Sequence, residues 1–420
     1  MDASILGMSP VMVIAGCLAL YMAWAIGAND VANSMGTSVG SGALSIRNAV
    51  IVAGILEFCG AFLVGGHVTD TVRKGILDTA IVEAHPDLLV YGMLAALAAA
   101  ATLLLGATRF GLPISTTHSI VGAIVGFGAV GLGPDAVEWG RVAQIAVSWV
   151  TSPLMGGVLA FGIFQLIQYL ILDRSEPLRE AKRYGPAFFF AVFFIIGLVT
   201  LFKGLKNLKL DFDLPEAVML SATVGAVGAV IGKFFLARVH DSSEGTQGRF
   251  TSVERVFVVL QILTACAVAF AHGSNDVANA IGPLAAIINV EQGAELARKS
   301  AVAPWMLVLG GIGIVVGLAT WGYRVMETIG KKITELTPSR GFAAELAAAI
   351  TIVLASRLGI PVSTTHILVG AVLGVGLARG IGALDLRVVG NILASWVMTL
   401  PIAATLSIFF FFFFKGLFGP

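Results

Sequence analysis

Apolar runs of roughly 20 residues succeed one another along the chain, separated by short polar breaks. They fall near 10–27, 48–66, 88–107, 113–132, 141–172, 186–202, 215–237, 253–272, 302–322, 342–357, 360–378 and 389–414. Such a run suits a helix that crosses a hydrocarbon layer of about 30 Å, where every backbone polar group must be satisfied internally. The pattern predicts an all-α polytopic membrane protein with about 12 hydrophobic spans, some of them re-entrant hairpins. The segments at 113–132 and 360–378 are the hairpin candidates, because each opens on a polar cluster and is dense in glycine.

The polar residues inside these runs are duplicated. GANDVANSMG at Gly27–Gly36 returns as GSNDVANAIG at Gly273–Gly282. GLPISTTHSIVGAIVGFG at Gly111–Gly128 returns as GIPVSTTHILVGAVLGVG at Gly359–Gly376. Weaker echoes link Asp70–Ile76 with Glu327–Ile333, and Trp149–Pro153 with Trp396–Pro401. A first repeat therefore covers 1–170 and a second 251–420; residues 171–250 supply two connecting spans and a polar stretch, His240–Thr251, that reads as an exposed linker. Seven spans precede the second repeat. An odd number turns the copies over relative to each other, giving two inverted-topology repeats whose half-folds can exchange conformations. The basic pairs Arg73-Lys74 and Lys331-Lys332 would then lie on opposite sides and leave the orientation open.

Composition narrows the class. The chain is 57% hydrophobic and 12% charged, where a soluble domain carries about 25% charged residues. A net charge of +1 argues against a nucleic-acid footprint. Cys17, Cys59 and Cys266 sit apart in apolar runs, with no metal-ligand spacing, so no resident cofactor is expected.

Both NDVAN copies place a carboxylate and two amides on one helical face: Asn29, Asp30 and Asn33, then Asn275, Asp276 and Asn279. Gly27 and Gly273 precede them and would let the backbone break. A carboxylate at membrane depth costs about 2.5–3.5 kcal/mol and needs a partner. No Lys or Arg lies within either motif, so a hard cation such as sodium is the economical partner, with helix capping the plainer alternative. Ser115-Thr116-Thr117-His118 and Ser363-Thr364-Thr365-His366 each follow a proline and read as helix starts rich in N–H and hydroxyl donors, the makings of an oxyanion site. Capping alone would use one hydroxyl of each three. His118 and His366 are expected to orient these turns.

Two carboxylates break the duplication. Glu57 aligns with Ile314, and Glu345 aligns with Leu97, so each half carries one intramembrane glutamate that the other lacks. Each is a candidate cation ligand or proton carrier, unless it reaches interfacial water. An oxyanion held by the hydroxyl turns would repel Asp30 and Asp276 by roughly 3 kcal/mol each at about 5 Å and an effective dielectric of about 20. Co-bound cations would relieve that repulsion and make the two affinities reciprocal, which is the requirement for symport.

At these residues the chain resembles the inorganic phosphate transporter (PiT) family over nearly its whole length. The two GANDVANS-type signatures match Gly27–Ser34 and Gly273–Ala280, and the proline-led STTH segments, the intramembrane glutamates and Ala319–Val325 fit as well. The resemblance implies a non-enzymatic, multi-pass cell-membrane symporter importing inorganic phosphate with co-transported sodium or protons, an inverted-repeat fold and a homodimer embedded in lipid. It supports substrate or ion roles for Asp30, Asn33, Glu57, Asp276, Asn279, Glu345 and the hydroxyls of both STTH turns. The chemistry of the donors suggests a division. Asn33, Ser115, Thr116, Thr117, Asn279, Ser363, Thr364 and Thr365 would hold phosphate; Asn29, Asp30, Glu57, Asn275, Asp276 and Glu345 would hold sodium. The short central loop departs from the large hydrophilic domain of some animal members, and Ala280 replaces the serine found at position 34.

Proton coupling and sulfate as cargo are close variants; a partly protonated phosphate can donate a hydrogen bond to an aspartate, which favours phosphate. A channel would need polar rings lining a pore, and an intramembrane hydrolase would need nucleophile–base spacing that the sequence lacks.

Overall fold

A computed structural model of the chain describes residues 9–65, 75–201, 213–239, 246–293, 302–357 and 362–419. Arg73, Lys74 and the Gly-Ile-Pro that leads into the second STTH turn lie outside the described residues. Among the described residues the fold is helical apart from a single bridge between Leu77 and Val137. Among the described residues, ten helices are long and apolar enough to cross a membrane, and the chain is a multi-pass membrane protein. The two hairpin candidates are the short ones: Thr116–Phe127 and Thr364–Ala378 have 12 and 15 helical residues. At 1.5 Å per residue these reach about 18 and 22 Å, less than a bilayer core.

Local chemistry sets where the helices begin. Ser9 caps Pro10–Asn29 by accepting from the Met12 amide, and Ser45 caps Ile46–Val64. Asp213 and Glu216 form a reciprocal capping box on Leu214–Ala237. Ser115 and Ser363 cap the two short helices by accepting from the amides of His118 and His366. The first serine of each STTH motif therefore carries the ordinary capping role, and the remaining hydroxyls are available for other work.

Two expectations need correction. The polar stretch His240–Thr251 is not a linker throughout: residues 240–245 lie outside the described set, and a helix already runs from Thr246 to Glu291. That helix passes through the second NDVAN motif without interruption, whereas the first motif divides at Asp30 into Pro10–Asn29 and Val31–Gly40. Gly273 serves close packing instead of a turn: a Cβ there would overlap the backbone carbonyl of Glu57.

Equivalent positions of the two motif copies meet equivalent partners. Gly27 lies against the backbone of Ile314, as Gly273 lies against that of Glu57; Gly317 lies against the carbonyl of Trp24, as Gly60 lies against that of Phe270. The Pro10–Asn29 helix thus packs on Pro304–Trp321, and Thr246–Glu291 packs on Ile46–Val64. In the short helices, Gly122 and Gly126 press on Leu400 and Ala404, while Gly370 and Gly374 press on Pro153 and Gly157. Leu400, not Pro401, therefore occupies the place of Pro153. Helices in lipid gain little from hydrophobic burial against each other, so close backbone approach through small residues holds these crossings together. Gly317→Ala is accordingly expected to lower the thermal midpoint of the detergent-solubilised protein, an overpacking cost of about 1–3 kcal/mol. Gly16→Ala, where nothing lies within 4 Å of the added carbon, should leave it unchanged or raise it.

Candidate functional site

The helix crossings bring both NDVAN motifs and both STTH turns into one buried cluster. Asp30, Glu57, His272 and Asp276 are each at most 2% exposed, so their charges must be compensated from within. Asn33 donates to Asp30 Oδ1 at 2.5 Å and reaches Thr365 Oγ1 at 2.8 Å. Thr365 also donates to Asp30 Oδ1, and Thr116 is buried beside the same carboxylate. Around Asp276, the amides of Asn275 and Asn279 lie 3.0 and 3.3 Å from Oδ1, and Thr364 approaches Oδ2 at 3.5 Å. The hydroxyl-bearing start of each short helix thus reaches an NDVAN carboxylate.

The residue that the sequence reading missed is His272. Its Nε2 lies 2.5 Å from Asp276 Oδ2 and 3.7 Å from Asp30 Oδ2, and its Nδ1 lies 3.0 Å from Glu57 Oε2. His272 thus stands between three carboxylates and is in close contact with two of them. Three carboxylates outnumber one imidazole, so even a fully protonated ring leaves the cluster negative. His272 therefore supplies part of the compensation that the sequence reading gave wholly to bound cations, and a deficit remains. A signal was present. His272 stands four residues before Asp276, on the same helix face, and its counterpart in the first copy is Ile26. Glu57, whose counterpart is Ile314, is likewise unduplicated, and the two meet.

Asp30, His272 and Asp276 offer ligand atoms that all lie within 4.8 Å of one another. Two carboxylates, flanking amide oxygens and hydroxyls make a hard donor set that suits an alkali cation; an imidazole nitrogen is less suited to one.

Glu345 forms a second polar centre. It is fully buried and accepts from Thr37 and Ser38 at one oxygen, the latter at 2.9 Å, and from Thr264 at the other at 2.6 Å. Gln261 stands beside it and accepts from Ser41 at 2.7 Å. Thr37 is seven residues beyond Asp30 on the same helix face, about 10 Å along the axis. The sequence reading found Glu345 but not Thr37, Ser38, Gln261 or Thr264, whose scattered hydroxyls and amide carry no motif.

The remaining candidates separate by position. Asn29 donates to Thr108 at 2.9 Å and to the Leu112 carbonyl at 3.0 Å, and accepts from the Ile114 amide at 3.2 Å. Its amide holds the segment leading into Ser115. Thr117 is half-buried, unlike its counterpart Thr365. The motif histidines meet each other, with ring centres 4.3 Å apart. His118 packs on Trp149 at 4.0 Å and His366 stacks on Trp396 at 3.6 Å. Pro153 has no N–H for the Trp149 carbonyl one turn earlier, and His366 Nδ1 lies 3.3 Å from that oxygen. Trp396 Nε1 donates to the Pro113 carbonyl at 3.0 Å. Each tryptophan therefore touches both hairpins.

A family model described as the phosphate transporter family matches residues 26–407, a range containing every side chain of this site. The chain belongs to the phosphate transporter family. Among relatives of this transporter, the Haemophilus influenzae protein named "Putative phosphate permease" is 46% identical over 407 residues, covering 97% of each chain. The Arabidopsis thaliana protein named "Inorganic phosphate transporter 2-1, chloroplastic" is 44% identical over 416 residues, covering 93% of this chain and 70% of its own. A solved structure titled "The sodium-dependent phosphate transporter" superposes with a TM-score of 0.87 at 42% identity, covering 97% of this chain and 99% of that one. The family consists of membrane transporters, and this chain is a transporter and not an enzyme.

Proposed function

We propose that this phosphate transporter is a symporter that imports inorganic phosphate with sodium ions by alternating access. One observation carries the reading: the hydroxyl-bearing helix starts converge on Asp30 and Asp276, so an anion held there faces carboxylates and requires cations. Asn33, Asn279, Thr116, Thr117, Thr364, Thr365 and the backbone donors at Ser115 and Ser363 bind phosphate. Asp30, Asp276, Asn275 and Glu57 hold sodium beside it, and Glu345 with its three hydroxyl donors forms a separate cation site. Asn29 shapes the first hairpin. The repeats are inverted: six long spans precede the second repeat, and with Pro86–Arg109 taken together with Thr116–Leu132 as one hairpin that turns back within the membrane, five remain (10–40, 46–64, 139–172, 177–199 and 214–237), an odd number. A homodimer is part of the proposal, and the mass of the purified protein in detergent reads it directly.

Proton coupling is the second reading, favoured by a titratable imidazole, His272, standing between Glu57 and Asp276. Uptake of labelled phosphate into proteoliposomes separates the two. A sodium gradient at equal pH should drive accumulation, and a pH gradient without sodium should not. The reverse result assigns the coupling to protons; inhibition by excess sulfate would broaden the cargo.

A further inference from the structure

The two hairpins do not grip the two NDVAN motifs equally, although the sequences at the contact points are nearly identical. Thr365 of the second hairpin is fully buried and bonded to Asp30, with Asn33 alongside, across the halves. The mirror contact would join Thr117 of the first hairpin to Asp276 and Asn279. Thr117 is half-buried and is hydrogen-bonded to neither. The leading asparagines differ in burial and in the partners the described residues give them. Asn29 is fully buried and holds the lead-in of the first hairpin at Leu112 and Ile114. Asn275 is half-buried and turns its amide to its own neighbour Asp276. By contrast the first threonines, Thr116 and Thr364, stand beside Asp30 and Asp276 respectively, as equivalence requires.

The made threonine contact belongs to the first motif and the unmade one to the second. The hairpins cannot choose separately, because the His118–His366 contact and the two bridging tryptophans tie them together. Their helices are further locked by the glycine contacts of Gly122 and Gly370.

We infer that the paired hairpins are a single rocking unit, docked here on the first NDVAN motif, and that in the opposite-facing state they dock on the second. There Thr117 takes Asp276 and Asn279, and Thr365 releases Asp30. This rests on the alternating-access reading above and assigns the contacts that distinguish its two states. A pair of nearly identical half-sites makes such states close in energy, so ion and anion occupancy can move the population. The rival explanation is a fixed asymmetry: His272, which has no counterpart in the first half, already occupies Asp276 and leaves Thr117 nothing to bind.

Cross-linking across the halves tells these apart. The full chain, with Cys17, Cys59 and Cys266 replaced by alanine and a protease site inserted at 240–245, carries either Thr117→Cys with Asn279→Cys or Thr365→Cys with Asn33→Cys. In proteoliposomes, copper-phenanthroline oxidation followed by proteolysis reads whether the halves remain joined. Both pairs should cross-link, and reversing the sodium gradient should raise one yield as it lowers the other. Capture of the Thr365/Asn33 pair alone, in protein whose elution profile is native, overturns the inference in favour of fixed asymmetry. Capture of neither pair, or yields that move together, overturns it as well. The readout needs no phosphate uptake, so it stands or fails separately from the cargo assignment.

Discussion

Asp30→Asn and Asp276→Asn are each expected to abolish sodium-driven phosphate uptake at sodium concentrations that saturate the parent protein. A carboxylate about 4 Å from a sodium ion contributes about 4 kcal/mol at an effective dielectric of about 20. Losing it weakens ion affinity by roughly a thousandfold. Anion binding should fall with it, because the site would otherwise hold phosphate without its neutralising cation. The fold should survive. Asparagine has the shape of aspartate, and its amide oxygen can still accept from Asn33 and Thr365 as Asp30 Oδ1 does. The check is a sodium titration of labelled phosphate uptake on protein with a native elution profile. An unchanged sodium dependence in either variant would remove that carboxylate from the coupling mechanism.

The second large effect concerns Glu57 and His272. His272→Ile strands Glu57 in a fully buried position and takes the nearest positive partner from Asp276. Breaking a buried pair on one side costs about 3–5 kcal/mol. Expression and thermal midpoint should both drop sharply. Glu57→Ile should be milder, since His272 keeps Asp276. The double variant, Glu57→Ile with His272→Ile, places at each position the residue type that the other half already carries, Ile314 and Ile26. Both helix crossings already accommodate isoleucine on one side of the molecule, so stability should recover most of what His272→Ile alone loses. Transport should not recover, because Glu57, a proposed sodium ligand, would be missing from the site. A double variant no more stable than His272→Ile would mean that the two side chains do not act as a pair.

Much of the fold was legible because membranes constrain sequence strongly. Twelve apolar segments were expected, and the described residues contain ten long ones and two short ones, with the short ones where polar clusters and glycine had marked hairpins. Glu57 and Glu345 were legible as buried carboxylates because nothing else in their runs is charged. The break expected at Gly273 did not appear. Glycine permits both a turn and a close helix contact, and sequence alone does not separate these uses. Asn29 and Asn275 read alike yet bond differently, because each amide takes the partners that its own surroundings bring near.

The sequence by itself determined the membrane class, the duplicated motifs and the family, because helix length, spacing on a helix face and the cost of a charge in lipid are local properties of the chain. Only the tertiary structure decided that His272 stands between Asp276 and Glu57, 215 positions away, and that Glu345 is satisfied by hydroxyls from two other helices. It also decided that Thr365 reaches Asp30 while Thr117 lacks the matching bond. Those contacts depend on how helices distant in sequence rotate and approach through small residues, a geometry that residue spacing does not encode.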